Sequence, residues 1–411
     1  MAFCPSAAKP NRTDVLTSAK HAFAFAREHV AKKSGSCSWT RATYVLGVWN
    51  YYAATVEAGI PDGYAKDDIV EWGETLGYNL CKGEAKWTGP CATANSTSCA
   101  DNQLPGATYI ELYKAGLDLP TPHSQMTLQS TTVEFDLEIA LGSATEGSWP
   151  IVDLTFMAMA PLSRLGALTG NAKYFDKQFA NWNASMLQPR RSASSSAHGS
   201  YGLFNRTDRL FMRDDRNLWH DGYWGRGNGW AMLSLVDAIR FGDAKAVTGG
   251  TADAHRDRYV EVFKLFAGRL AELQGEDGAW RSSMLDSDRF PTPDTTASAC
   301  FTRGLAYGVN AGLLAAETYT PVVEKAWGFL SQVALQSDGT VGYCQHAGAG
   351  PGNAFNASST SDFCVGMFLG AAAERCRGCR CSGDAVLMAM HLHSLHSKNK
   401  LILGSLITFT C

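Results

Sequence analysis

The chain has 411 residues, of which 45% are hydrophobic and 18% charged, below the roughly 25% charged of an average domain. That balance implies much interior and modest surface, one large globular body rather than small modules on linkers. A net charge of −3 leaves no electrostatic footprint for nucleic acid or an anionic membrane, and no apolar run nears the ~20 residues that span a bilayer.

The start, Met1-Ala2-Phe3-Cys4-Pro5-Ser6, has neither a basic lead nor an apolar segment behind it, so it predicts no secretory signal. Five N-x-S/T sequons (Asn11, Asn95, Asn183, Asn205, Asn356) and 12 Cys point the other way. A secreted chain with a truncated start and a cytosolic chain both stay open. Residues 1–14 read as an N-terminal extension, 15–375 as the folded domain and 376–411 as a tail.

Apolar residues then recur at i, i+3, i+4 spacing, predicting helices near 15–32, 41–57, 67–80 and 105–115, with a weaker candidate at 131–141. Further helices are predicted near 154–168, 172–187, 229–240, 256–273, 297–316, 321–334 and 363–374. Between the third and fourth, Cys81, Cys91 and Cys99 would form a loop disulfide in an oxidising compartment, with a pairing that sequence does not reveal. Residues 188–200 are Ser-rich and predicted to be a loop. In the tail, Cys376, Cys379, Cys381, His391, His393 and His396 suggest zinc, but a second Cys pair is missing and the His spacing is irregular. A poorly ordered appendage without metal is the expectation.

Polar or aromatic clusters precede helices rich in small residues. Measured from Trp39, Asp101, Asp153, Arg226, Asp294 and Thr360, they stand 62, 52, 73, 68 and 66 residues apart. Each interval fits one helical hairpin. Six hairpins would close into an all-α toroid, an (α/α)6 barrel whose inner helices begin at one rim and gather these clusters into a pocket. An open helical solenoid is the alternative.

Chemistry concentrates in a few places. Trp224-Gly225-Arg226-Gly227-Asn228-Gly229-Trp230 puts an arginine fork and two indoles at a helix N-terminus, where partial positive charge and spare N–H donors gather. That combination suits an acidic sugar. Asp153, flanked by aliphatic and aromatic residues, is either an N-cap or a buried acid of raised pKa. Asp101, with Asn102 and Gln103, caps a helix, binds hydroxyls or does both; Asp294 reads as a cap. Trp39 and Arg41, in the first of the rim clusters, join the candidate binding set. No nucleophile elbow, H-E-x-x-H motif or phosphate loop occurs, which leaves carboxylate acid/base chemistry.

These residues resemble a known family. The Trp224–Trp230 run, Asp153-Leu154-Thr155-Phe156-Met157-Ala158 and Leu165–Tyr174 look like the unsaturated rhamnogalacturonyl hydrolases, glycoside hydrolase family 105, kin to the unsaturated glucuronyl hydrolases of family 88. Trp39–Tyr44, Ala100–Gln103, Gly202-Leu203-Phe204, Gly304–Asn310 and Asp362–Leu369 extend the similarity, in order, across roughly 15–375. It implies the (α/α)6 barrel and an exo-acting hydrolase that removes a non-reducing-end unsaturated uronic acid from lyase-generated oligosaccharides of pectin or ulvan type. By that resemblance Asp153 protonates C4 of the C4=C5 double bond and activates the water that adds at C5. Asp101 contacts ring hydroxyls, and Arg226 and Trp230 hold and stack the uronate, with no metal or cofactor. Ile151 stands where the family often carries an aromatic residue. Where some members have His, this chain shows Asn205 then Arg206, as in members with Arg there, which by the resemblance adds Arg206 to the binding set. Both changes bear on sugar preference. An inverting glycosidase using Asp153 with Asp101, and a toroid that binds acidic glycans without turnover, are the competing readings.

Overall fold

The computed structural model describes residues 11–30, 39–72, 101, 103–115, 151–188, 202–214 and 223–378. In chain order the elements are α1 (Arg12–His29), α2 (Trp39–Glu57), α3 (Gly63–Glu71), α4 (Pro105–Lys114), α5 (Asp153–Thr169) and α6 (Ala172–Trp182, continued by a π-turn at Asn183–Leu187). A small hairpin of β1 (Phe204–Asn205) and β2 (Leu210–Phe211) follows. Then come α7 (Gly225–Phe241), α8 (Arg256–Leu273), α9 (Thr295–Asn310), α10 (Ala316–Phe329, with a π-turn at Leu330–Ala334) and α11 (Asp362–Gly378). The expected 131–141 helix, the Cys81/Cys91/Cys99 loop, the Ser-rich stretch beyond 188 and the tail beyond 378 lie outside the described residues.

Burial sorts these helices into two layers. Along α5 every residue from Leu154 to Ala167 is buried, as is every one from Gly225 to Ile239 in α7. Helices apolar on all sides must be surrounded. In α8, by contrast, only Tyr259, Val262, Phe263, Phe266, Ala267 and Leu270 are buried, one stripe at i, i+3, i+4 spacing. The buried set α2, α4, α5, α7, α9 and α11 packs in sequence, each on the next, and α11 returns to α2. The stripe-bearing helices lie outside: α1 on α11, α3 on α2, α6 on α5, α8 on α7 and α10 on α9. The ring is closed, so this is the (α/α)6 toroid and not an open solenoid.

Closure depends on small residues. A Cβ on Gly47 of α2 would fall 2.2 Å from the Gly366 carbonyl oxygen of α11, and one on Gly366 would fall 2.4 Å from that of Thr43. The two backbones are in direct contact. Near the C-terminal ends of the inner helices, charges fill the ring. Arg164 of α5 donates to Glu111 of α4 at 2.9 Å and to Asp237 of α7 at 2.8 Å. Arg303 of α9 lies 3.7 Å from Asp237, and Arg240 of α7 pairs with Glu374 of α11. Breaking one member would leave a buried charge uncompensated.

α7 corrects one boundary. It begins at Gly225 with Trp224 as N-cap, so the glycine-thinned motif is helix rather than the turn before a helix at 229. The glycines allow it: a Cβ on Gly225 would lie 2.4 Å from the Arg281 carbonyl oxygen. Tertiary packing outweighs the roughly 1 kcal/mol that each glycine costs a helix.

Candidate active site

Inner helices alternate with outer ones, so all run the same way and start at one rim. Aromatic contacts join four of those starts. Trp39 of α2 lies 5.0 Å from the Phe363 ring of α11 and, edge-on, 5.9 Å from Trp230 of α7. Trp230 stacks on Phe156 of α5 at 5.4 Å.

Asp153 is the first residue of α5, and the N-cap position falls to Val152, which has no capping side chain. Capping is the work of Asp294, whose Oδ1 accepts from the Thr296 N–H at 2.9 Å. The Asp153 side chain is 17% exposed, and its buried Oδ2 has no hydrogen-bond partner. Burial pushes its carboxyl up and Asp214 adds to that, while Arg213 and Arg226 pull it down. Asp101, just before α4, is pushed up to about 7, first by burial and then by the charge of Asp153. Two carboxyls in electrostatic contact, both reluctant to ionise, can hold and pass a proton near neutrality.

Arg213 and Asp214 reach this place through backbone pairing. The Val152 N–H donates to the Arg213 carbonyl at 2.9 Å, and Ile151 bridges Asp214. Arg213 Nε then lies 4.0 Å from Asp153 Oδ2, while its Nη1 bonds Asp214. Neither residue was expected from sequence: a two-residue bridge to a segment some sixty positions away leaves no periodicity to read.

Arg226, expected to hold a uronate, is bonded to the protein's own backbone. Its Nη1 donates to the Gln345 carbonyl at 2.8 Å and its Nη2 to that of His346 at 3.0 Å. The guanidinium lies over Trp224 at 4.4 Å and is fully buried. Trp224 is buried too and donates from Nε1 to Gln345 Oε1 at 2.8 Å. Both residues fix the loop that runs through Gln345 and His346, which a Cys344–Cys364 disulfide also ties to α11. The Arg226 Nε is buried without a hydrogen-bond partner. Trp230, expected as a stacking platform, is buried with Phe156 against its face; the partly exposed indole is Trp39.

Arg206 and Arg41 stand apart from this group. Arg206, in the β1–β2 turn, pairs with Glu261 at 3.1 Å. Glu272, which bonds Arg209, lies about 16 Å further along α8, toward the rim. Arg41 lies over the Tyr44 ring at 4.9 Å and acts on Asp68 of α3. Among the described residues no cluster of three or more His, Cys, Asp or Glu is placed to hold a metal ion, and no helix is long and apolar enough to cross a membrane.

The sequence pattern of Glycosyl Hydrolase Family 88 matches residues 14–378. The chain belongs to glycosyl hydrolase family 88. This family 88 chain is a glycoside hydrolase, and the family is the kin group that the sequence resemblance named. It is 27% identical over 365 residues to the unsaturated 3S-rhamnoglycuronyl hydrolase of Alteromonas sp. strain LOR, covering 84% of this chain and 79% of that one. A protein of the same name from Formosa agariphila is 33% identical over 240 residues, 55% of this chain and 57% of the relative. Among solved structures, a glycosyl hydrolase family 88 protein from Bacteroides vulgatus superposes with a TM-score of 0.69 at 25% identity. That match covers 90% of this chain and all of the other.

Proposed function

We propose that the rim pocket hydrates the C4=C5 double bond of an unsaturated uronic acid at the non-reducing end of a lyase-generated oligosaccharide. Asp153 is the general acid/base. The observation that carries this is its Oδ2, buried at the rim, without a hydrogen-bond partner and on a carboxyl held above its ordinary pKa.

The neutral Asp153 carboxyl gives its proton to C4 as the double-bond electrons form the new C–H bond. Positive charge develops at C5 and the ring oxygen. Water adds at C5 and returns a proton to the Asp153 carboxylate. The hemiketal then opens, its C5–ring oxygen bond breaks, and the hemiacetal left at C1 releases the next sugar. Asp101 takes ring hydroxyls and Trp39 packs on the sugar face. The relatives' name carries a rhamnose-linked uronyl unit, and we assign that class to this chain.

The coupled pair Asp101 and Asp153 supports a second reading, an inverting glycosidase with acid and base on two carboxyls. One assay separates them: ultraviolet absorbance of the double bond in lyase-generated disaccharides, for wild type and Asp153→Asn. Loss of absorbance with wild type and none with the variant is expected. Persistent absorbance with wild type, together with cleavage of saturated oligosaccharides, would establish the second reading instead.

A further inference from the structure

We infer that Arg213 is the carboxylate-binding residue of this site, holding C6 of the terminal uronate beside Asp153; this assignment rests on the hydration reading above. Arg213 Nε and Asp153 Oδ2 are a donor and an acceptor, both buried, both without a hydrogen-bond partner, 4.0 Å apart. A charge-assisted N–H···O bond closes to about 2.7–2.9 Å. The two groups lie side by side without satisfying each other.

The chemistry says what would fill that space. Asp153 serves C4 and C5, and the carboxylate carbon is bonded to C5. A guanidinium next to Asp153 is therefore beside the place where the substrate's carboxylate, one bond from C5, must lie. Arg213 is also held for the task. Asp214 takes its Nη1, and the Val152 N–H fixes its carbonyl, leaving the Nε edge for a ligand. The other candidate arginines differ from it: Arg226 has both Nη atoms on the Gln345 and His346 carbonyls, Arg206 pairs with Glu261, and Arg41, although its Nε and Nη1 lack partners, lies over Tyr44 and acts on Asp68 of α3. The Arg213 side chain is 12% exposed and its Nε is buried, so a ligand that displaces the Asp153 side of the gap meets it in a dry setting where the contact is strong.

A consequence concerns the proton. In the free enzyme the Arg213 charge opposes the rise of the Asp153 pKa. A substrate carboxylate on Arg213 offsets that charge, so substrate binding favours the protonated acid that C4 requires.

The test compares wild type, Arg213→Lys and Arg213→Met on the unsaturated uronyl disaccharide and on its C6 methyl ester, following double-bond absorbance. Wild type should prefer the acid. Arg213→Met should shrink the acid-to-ester ratio of kcat/KM by about tenfold to a hundredfold, with Arg213→Lys in between. An unchanged ratio overturns the assignment, and so does an equal loss on both substrates, which would mark a structural role. Calorimetric binding of glucuronate and its methyl ester to Asp153→Asn, with and without Arg213→Met, reads the same preference without turnover. Failure to hydrate either disaccharide would sink the hydration reading, while Arg213 would still stand or fall on the binding ratio. Arg213→Lys keeps the buried charge and serves as the folded control.

Discussion

Arg226 donates from Nη1 to the carbonyl oxygen of Gln345 at 2.8 Å, and through that bond the first turn of α7 holds the loop before α11 in place. His346 takes the second arm at 3.0 Å. The most conspicuous motif of the sequence thus anchors this loop, and the charge of its arginine pulls the Asp153 carboxyl down.

Replacing Arg226 should therefore weaken the protein before any substrate is added. Arg226→Met leaves the buried Gln345 carbonyl without this donor, at about 1–3 kcal/mol, and removes a second bond to the carbonyl of the more exposed His346. Denaturant unfolding of the ligand-free protein should show a loss of roughly 3 kcal/mol or more. Arg226→Lys should recover little of it, because an ammonium cannot reproduce the planar fork. Unchanged apo stability, with only substrate binding weakened, would restore the expected ligand role.

Asp101 predicts a pH-dependent stability. Its carboxyl titrates at about 7 in the fold against 3.8 ordinarily, so the folded chain binds the proton more tightly than the unfolded one. Stability is then lost as pH rises through that window, and the cost is complete above it. The displacement corresponds to roughly 4 kcal/mol at most, less after solvent screening of a partly exposed group. Asp101→Asn should raise Tm clearly at pH 8 and less at pH 5. Equal gains at both pH values would show that the Asp101 charge is not the cause.

Much of this architecture is legible in the sequence because inner helices are apolar all round and outer ones carry a stripe. The all-buried run from Leu154 to Ala167 and the stripe from Tyr259 to Leu270 are unmistakable as patterns. Asp153 stood out for the same reason, a lone carboxylate in apolar company. What stayed hidden depends on distant partners. Arg213 comes to Asp153 only through the bridge to Ile151 and Val152, and Arg226 meets carbonyls 119 and 120 positions away. The Glu111–Arg164–Asp237 chain joins three helices whose charges look, one at a time, like ordinary surface residues.

Ring closure can be tested with two alanines. Gly366→Ala sets a methyl 2.4 Å from the Thr43 carbonyl oxygen and 2.6 Å from the Tyr44 Cα, backbone atoms that cannot step aside. It should cost about 3 kcal/mol, at the upper end of overpacking, as α2 and α11 are forced apart. Gly328→Ala in α10 meets nothing within 4 Å and should stabilise by up to about 1 kcal/mol through helix propensity. Thermal unfolding of the pair decides the matter. A tolerated Gly366→Ala would mean that the two helices do not touch through their backbones.

The Cys344–Cys364 bridge separates stability from activity. It closes 20 residues of chain, for which the loss of denatured-state entropy predicts about 3 kcal/mol of stabilisation. Yet the loop is docked by other bonds as well. Tyr343 accepts from the Thr295 N–H at 3.0 Å, the Cys344 N–H donates to Ser359 at 3.0 Å, and Gln345 is held by Arg226 and Trp224. Cys344→Ser with Cys364→Ser should thus lower Tm while leaving hydrolysis at 25 °C within a few-fold of wild type. Reductant should act on wild type the same way. Adding Arg226→Met to the double serine variant removes the second anchor, so activity should fall by more than the two separate losses combined. Strictly additive losses would mean that the disulfide and Arg226 do not hold the same loop.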